Sequence, residues 1–236
     1  MVKGGLMRST DTAGTPSLTR WAVAAVAALA VLLAAVATIG GPLHNDRLVT
    51  RAVVGHRSEW MTSFAKAYST VFSPATTVVL AALVAGLFVF RDRSVRRGAA
   101  LIIGVGGAAA AAEVLKLLVD RRRPPFAVQL EAHEAAHSFP SGHVTGTTAL
   151  VAGIALLAVP AASRAERAVF GVVASLLVLV SAGSRVYLGM HWTSDTVAGM
   201  LVGAVGAWAG VLVVARFADV VDGLDGRLFG RRAAVH

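Results

Sequence analysis

No cysteine occurs in the chain, which excludes disulfides and thiolate-bound metals. Charge is also scarce. Asp, Glu, Lys and Arg make up 15% of the 236 residues, against roughly 25% in a typical soluble domain. Acidic side chains are the rarer sign, 13 against 22 Lys and Arg, leaving a net charge of +9. The balance is made up by apolar residues, 56% of the chain, with a mean hydropathy of +0.70. That composition argues against a soluble domain of this length.

The apolar residues fall in long runs. Six segments, 21–41, 74–90, 98–119, 144–160, 167–184 and 196–215, approach or reach the roughly 17–25 residues that cross a bilayer as a helix. They are rich in Ala, Val, Leu and Gly, and glycine lets membrane helices approach closely. The expected fold is therefore all-α: an integral membrane bundle of six transmembrane helices in one domain, 21–216. A loose cytoplasmic tail is expected over 1–20 and a second over 217–236. The first run contains Ala35-Val36-Ala37, which resembles a signal-peptidase site, but it exceeds the 7–15 apolar residues of a signal peptide and reads as an uncleaved span. Between spans one and two, Trp60, Phe64, Ala67, Tyr68, Val71 and Phe72 recur at helical spacing with Ser58, Glu59, Lys66 and Ser69 between them. This pattern predicts a short amphipathic helix, suited to the membrane interface and to packing on the bundle.

The basic excess follows topology. With the N-terminus cytoplasmic, the inner segments hold Lys3, Arg8, Arg20, Arg91, Arg93, Arg96, Arg97, Arg164, Arg167, Arg216, Arg227, Arg231 and Arg232, in keeping with the positive-inside rule. Anionic headgroups of the bilayer, rather than nucleic acid, are the partners this charge implies. No obligate protein partner is evident from the sequence.

The same topology places 42–73, 120–143 and 185–195 on the outer side. Charged residues at membrane depth are costly and mark candidate sites, and here they gather at the ends of four helices. Lys116 lies in the last turn of span three, and Arg123-Pro124 follows it. Ser141-Gly142-His143 opens span four. Ser184-Arg185 closes span five, and His191 and Asp195 precede span six. Lys116, Arg123 and Arg185 supply cationic donors that match phosphate oxygens. Ser141 and Gly142, at a helix N-terminus, offer backbone N–H groups to an anion. His191 and Asp195 are four residues apart, so on a helical turn the carboxylate would hold one ring nitrogen and leave the other free to attack phosphorus. His143 would protonate the leaving oxygen. With cations neutralising the equatorial oxygens, the chemistry requires no metal and no cofactor.

These residues resemble the type 2 phosphatidic acid phosphatase family of membrane lipid phosphatases. Lys116 to Arg123-Pro124 matches its K-x6-R-P motif. Pro140-Ser141-Gly142-His143 matches P-S-G-H. Ser184-Arg185 through His191 to Asp195 matches S-R-x5-H-x3-D. The resemblance covers roughly 100–215. It implies a six-helix bundle with its site at the outer face and lipid mono- or diphosphates as substrates. It also implies His191 as nucleophile, Asp195 as its orienting group and His143 as acid. The expected enzyme is a multi-pass protein of a bacterial cytoplasmic membrane. It would act on a polyprenyl diphosphate, phosphatidylglycerophosphate or phosphatidic acid through a phosphohistidine. A non-catalytic lipid-phosphate binding or transport protein could share the cradle, but the presence of both His143 and His191 argues against it.

One segment invites a different reading. His133-Glu134-Ala135-Ala136-His137 fits the H-E-x-x-H pattern of zinc proteases. No apolar span contains it. Asp225 of Leu224-Asp225-Gly226, a candidate third ligand, falls on the far side of about 30 Å of hydrocarbon. His133 and His137 therefore read as solvent-facing loop residues. Arg121 and Arg122 read as interfacial anchors, as does Trp192, and Glu113 within span three as a partner for some cation of the bundle.

Overall fold

The computed structural model describes residues 15–158 and 163–230. The tail expected over 1–20 lies outside this range up to residue 14, and its residues 15–20 are helical; residues 159–162 and 231–236 also lie outside it. Among the described residues nine α-helices follow in order: α1 (Thr15–Ile39), α2 (His44–Gly55), α3 (Glu59–Val71), α4 (Pro74–Asp92), α5 (Arg96–Val119), α6 (Gly142–Ala158), α7 (Arg164–Tyr187), α8 (Thr193–Arg216) and α9 (Ala218–Phe229). A 3-10 turn, Phe126–Val128, lies between α5 and α6, and there is no strand among the described residues.

Helix boundaries follow local chemistry. Ser73 accepts a hydrogen bond from Thr76 N and Pro74 occupies the first turn of α4, where its missing N–H is not needed. Ser163 and Glu166 form a reciprocal capping box on α7. The backbone turns left-handed at Asp120, ending α5.

α4, α5, α7 and α8 are each long and apolar enough to cross a membrane. α1 joins α2 through a bend of 87°, and the pair together also passes that test. α6 is apolar over 17 described residues, about 25 Å of helix. Six spans is thus an approximate count, with α1 and α6 its least regular members. Leu83, Leu87, Phe90, Leu117, Leu118 and Leu176 are all more than half exposed, as lipid-facing side chains are.

α8 is the central helix, packed on α5 and α6. Glycine makes the approach possible. A Cβ at Gly203 would stand 2.6 Å from Thr145 O, and one at Gly206 would stand 2.6 Å from Ala108 Cβ. Ala81, Ala85, Phe88, Leu101, Val105, Ala108, Ala149 and Leu150 form a core shared by α4, α5 and α6.

Two helices, rather than the single expected one, link α1 to α4. The buried face of α3 is its small side, Ala65 and Ser69, whereas Trp60, Phe64 and Val71 point outward. Tyr68 donates to Leu177 O on α7 at 2.6 Å, so its hydroxyl is spent within the bundle. Helix α9 occupies most of the segment read as a tail. Asp225 there accepts from Val95 N (2.8 Å) and Ser94 Oγ (2.5 Å), satisfying the start of α5. The Leu-Asp-Gly tripeptide is thus built into the end of the bundle opposite Lys116.

Candidate active site

Four helix ends and two loops converge at the end of the bundle where α5 stops. Asp195 is the node that ties them. It lies in the first turn of α8 and is fully buried. One oxygen accepts from Trp192 N (2.8 Å) and Ser138 Oγ (2.5 Å), the other from Arg121 (2.5 Å). Its backbone carbonyl accepts from Ser141 N at 3.0 Å, joining the start of α6 to the start of α8.

His191 sits on the loop just before α8, 2% exposed. Its Nδ1 is 2.7 Å from Ser138 O and 3.7 Å from Asp195 Oδ2. The expected carboxylate contact on the ring is therefore corrected: a backbone carbonyl holds Nδ1, and Asp195 acts one bond further back by fixing Ser138. A carbonyl only accepts, so Nδ1 carries the proton and Nε2 keeps its lone pair. Arg123 lies 3.3 Å from Nε2. Burial, then Arg123 and Arg185, hold the His191 imidazole well below its ordinary value of 6.5, against the opposing Ser138 hydrogen bond. The ring is neutral at neutral pH.

The expected cations surround it. Arg123 donates to Ala136 O (3.0 Å) and Met190 O (2.9 Å). Arg185, 3% exposed, donates to Ser69 Oγ on α3 at 2.5 Å. Lys116 Nζ would be 3.4 Å from a Cβ on Gly142, so glycine admits the ammonium to the tip of α6. His143 lies within electrostatic reach of His191, Arg185, Lys116 and Arg123. The first helical bond of α6 runs from Thr145 N to Ser141 O, which leaves Gly142, His143 and Val144 N–H ahead of the ladder. Ser141 N is not among these free donors, since Asp195 takes it. The Ser141 Oγ is buried and has no partner among the described residues.

Two expectations fail, and one site residue goes unforeseen, for a shared reason. Arg121 is not an interfacial anchor: it is 3% exposed and paired with both Asp46 (2.8 Å) and Asp195. Trp192, 6% exposed, donates its indole N–H to Arg122 O and is no anchor either. Asp46, which also accepts from Ser194 N and Oγ, was invisible as a site residue. The partners lie 70 or more residues apart in the chain, and no local pattern announces them. Arg122 is exposed, as expected of an anchor. Glu113 does find its cation, Lys116, at 2.7 Å.

His133 and His137 are exposed, and their segment is not helical. His137 lies 3.6 Å from Asp120. Among the described residues no three His, Asp or Glu side chains gather at metal-holding distances. Glu134 instead pairs with Arg123 (2.6 Å), and Glu131 with Arg185 (2.7 Å).

Fold and site together define a helical membrane protein with a cationic, histidine-bearing pocket at one end of its bundle. Residues 97–219 match the PAP2 superfamily, and the chain belongs to it. Phosphatidylglycerophosphatase B of Bacillus subtilis (strain 168) is 28% identical over 177 residues, 73% of this chain and 85% of that protein. Undecaprenyl-diphosphatase of Sulfolobus acidocaldarius is 30% identical over 125 residues, 51% of this chain and 57% of its own. The crystal structure of a transmembrane PAP2-type phosphatidylglycerolphosphate phosphatase from Bacillus subtilis matches with a TM-score of 0.70 at 22% identity, over 85% of this chain and 96% of that one. These likenesses bear out the family read from the motifs, the multi-span helical fold and the reading as a lipid phosphatase.

Proposed function

We propose that the chain hydrolyses lipid phosphomonoesters or diphosphates through a phosphohistidine on His191. The observation that carries this reading is the His191 ring itself. Its proton is committed to Ser138 O, and its Nε2 lone pair faces Arg123 within a group of three cations. Nε2 attacks phosphorus while the bond to the lipid oxygen breaks. His143 gives that oxygen its proton. Lys116, Arg123, Arg185, the Gly142 N–H and the Ser141 hydroxyl hold the equatorial oxygens, where charge is densest in the transition state. Water then cleaves the N–P bond, with His143 taking a proton, and inorganic phosphate leaves. Asp195 positions the nucleophile through Ser138. The cations supply the charge neutralisation a divalent ion would otherwise supply, so the reaction proceeds without a metal.

An apolar groove of about 320 Å³, lined by Trp60, Phe64, Ala65, Val180, Ser184 and Tyr187, runs between α3 and α7, the helix that carries Arg185. It offers an acyl or prenyl chain a seat beside the phosphoryl pocket. Polyprenyl diphosphate, phosphatidylglycerophosphate and phosphatidic acid are the candidate substrates. The related proteins' names point to the first two. The arginines Arg91, Arg93, Arg96, Arg97 and Arg227 crowd the opposite end of the bundle. This distribution supports a pocket facing outward, and the likeness to the Bacillus protein supports a bacterial cytoplasmic membrane.

The test uses purified protein in detergent with chelator and a short-chain lipid phosphate. Phosphate release, inhibition by orthovanadate and an acid-labile protein-bound phosphate are expected, and His191→Ala should abolish both release and label. Turnover that survives in His191→Ala would refute the nucleophile. Loss of all activity in chelator would refute metal independence. Binding without turnover would mark a lipid-phosphate carrier.

A further inference from the structure

Every cation assigned to the phosphoryl group already has a carboxylate partner. Lys116 pairs with Glu113, Arg123 with Glu134 and Arg185 with Glu131, at 2.7, 2.6 and 2.7 Å. Two of the three glutamates come from one loop, 129–137, whose backbone is firmly held. The Gln129 side chain, 6% exposed, donates to Pro124 O and Glu134 O and accepts from Glu134 N. Leu130 N donates to Leu188 O, and Arg57 donates to Val128 O just before the loop. The carboxylates are freer than the backbone that presents them: the side chain of Glu134 is 50% exposed and that of Glu131 26%.

The guanidinium N–H groups that grip a carboxylate are those that grip a phosphate oxygen. Arg123 and Arg185 are themselves buried, 8% and 3% exposed at the side chain, and a buried cation without a partner is costly. Resting on the phosphatase reading above, we infer that Glu131 and Glu134 are exchangeable counter-ions. They neutralise the two arginines when the pocket is empty and yield them to the phosphoryl group of the substrate. Every phosphate that enters must displace them, so its affinity is lowered by the lost ion pairs. A lipid substrate retains the binding of its chain and withstands that competition. Free inorganic phosphate has no chain and does not. The two glutamates therefore lower both affinities alike: the chain still carries the lipid into the site, and the phosphate released there is not held.

The sign of the effect separates this role from a structural one. A glutamate that merely braced its loop would weaken phosphate binding when altered, whereas a competing counter-ion strengthens it. The experiment measures inhibition of short-chain lipid phosphate hydrolysis by inorganic phosphate and by orthovanadate, using the full chain in detergent. In Glu134→Gln the inhibition constant for phosphate should fall by about threefold or more, as for a half-exposed pair. In Glu131→Gln, whose arginine is buried more deeply, it should fall by about tenfold. Glu134→Ala should behave like Glu134→Gln. Since Glu134 is half exposed, its variants keep the test alive if Glu131→Gln fails to fold. Unchanged or raised inhibition constants in Glu134→Gln and Glu134→Ala, with wild-type unfolding temperatures and an active wild type, would overturn the inference alone. A wild type that neither hydrolyses the lipid phosphate nor binds vanadate would overturn the phosphatase reading, and the inference with it.

Discussion

Arg121→Ala removes a guanidinium that stands between two carboxylates. Asp46 and Asp195 are 2% and 0% exposed, and Arg121 is bound to both. Without it, two like charges remain buried with only Ser138, Ser194 and backbone N–H groups as donors. Stranding one member of a buried pair typically costs about 3–5 kcal/mol. For a chain of this length 1 kcal/mol corresponds to about 2–4 °C of unfolding temperature, so a fall of roughly 6–20 °C is expected in detergent. Activity should fall with it, because Asp195 holds Ser138, and Ser138 O holds the His191 ring. Arg122→Ala is the control: Arg122 is exposed, and surface substitutions shift stability by about 0.5 kcal/mol or less. In a double-mutant cycle, Arg121→Ala with Asp46→Ala should cost less than the sum of the single changes, since the second removes one of the stranded charges. Thermal unfolding followed by tryptophan fluorescence and short-chain lipid phosphate turnover measure all three. An Arg121→Ala protein as stable and active as Arg122→Ala would refute the buried network and restore the interfacial anchor.

The other predictions concern the nucleophile and the packing of α8. The His191 value is lowered from 6.5, so between 6.5 and that lower value the unfolded chain binds more protons than the folded one; stability contributed here rises with pH and declines on acidification through that window. Nitrogen NMR of labelled histidine should show the His191 ring neutral at pH 6.5, with the proton on Nδ1; a charged ring, or the proton on Nε2, would contradict the proposed attack. Gly203→Leu should separate α8 from α6, because even its Cβ would meet Thr145 O at 2.6 Å and Thr148 Cβ at 2.7 Å. A loss of about 1–3 kcal/mol is expected, and unfolding at the wild-type temperature would show that the two helices are not in such close contact.

The apolar runs and the gathering of the motifs at one end of the bundle were legible because both follow from local properties. Apolar run length is set by bilayer thickness, and alternation of loops then assigns Lys116, Arg123, Ser141, His143, Arg185, His191 and Asp195 to one end without any knowledge of packing. The chemistry was legible too, since cations, a helix N-terminus and two imidazoles suit few tasks other than phosphoryl transfer. Tertiary structure alone decided which atoms meet. It set Ser138 O, not the carboxylate four residues on, against Nδ1 of His191. It buried Arg121 between Asp46 and Asp195 and left Arg122 outside, although the two are neighbours in a run of three arginines. It turned a glutamate from a zinc-like pattern onto Arg123. All but the last of these contacts join segments brought together only when the bundle closes, and the pairing of the charges is chosen by the cost of leaving one alone once water has gone.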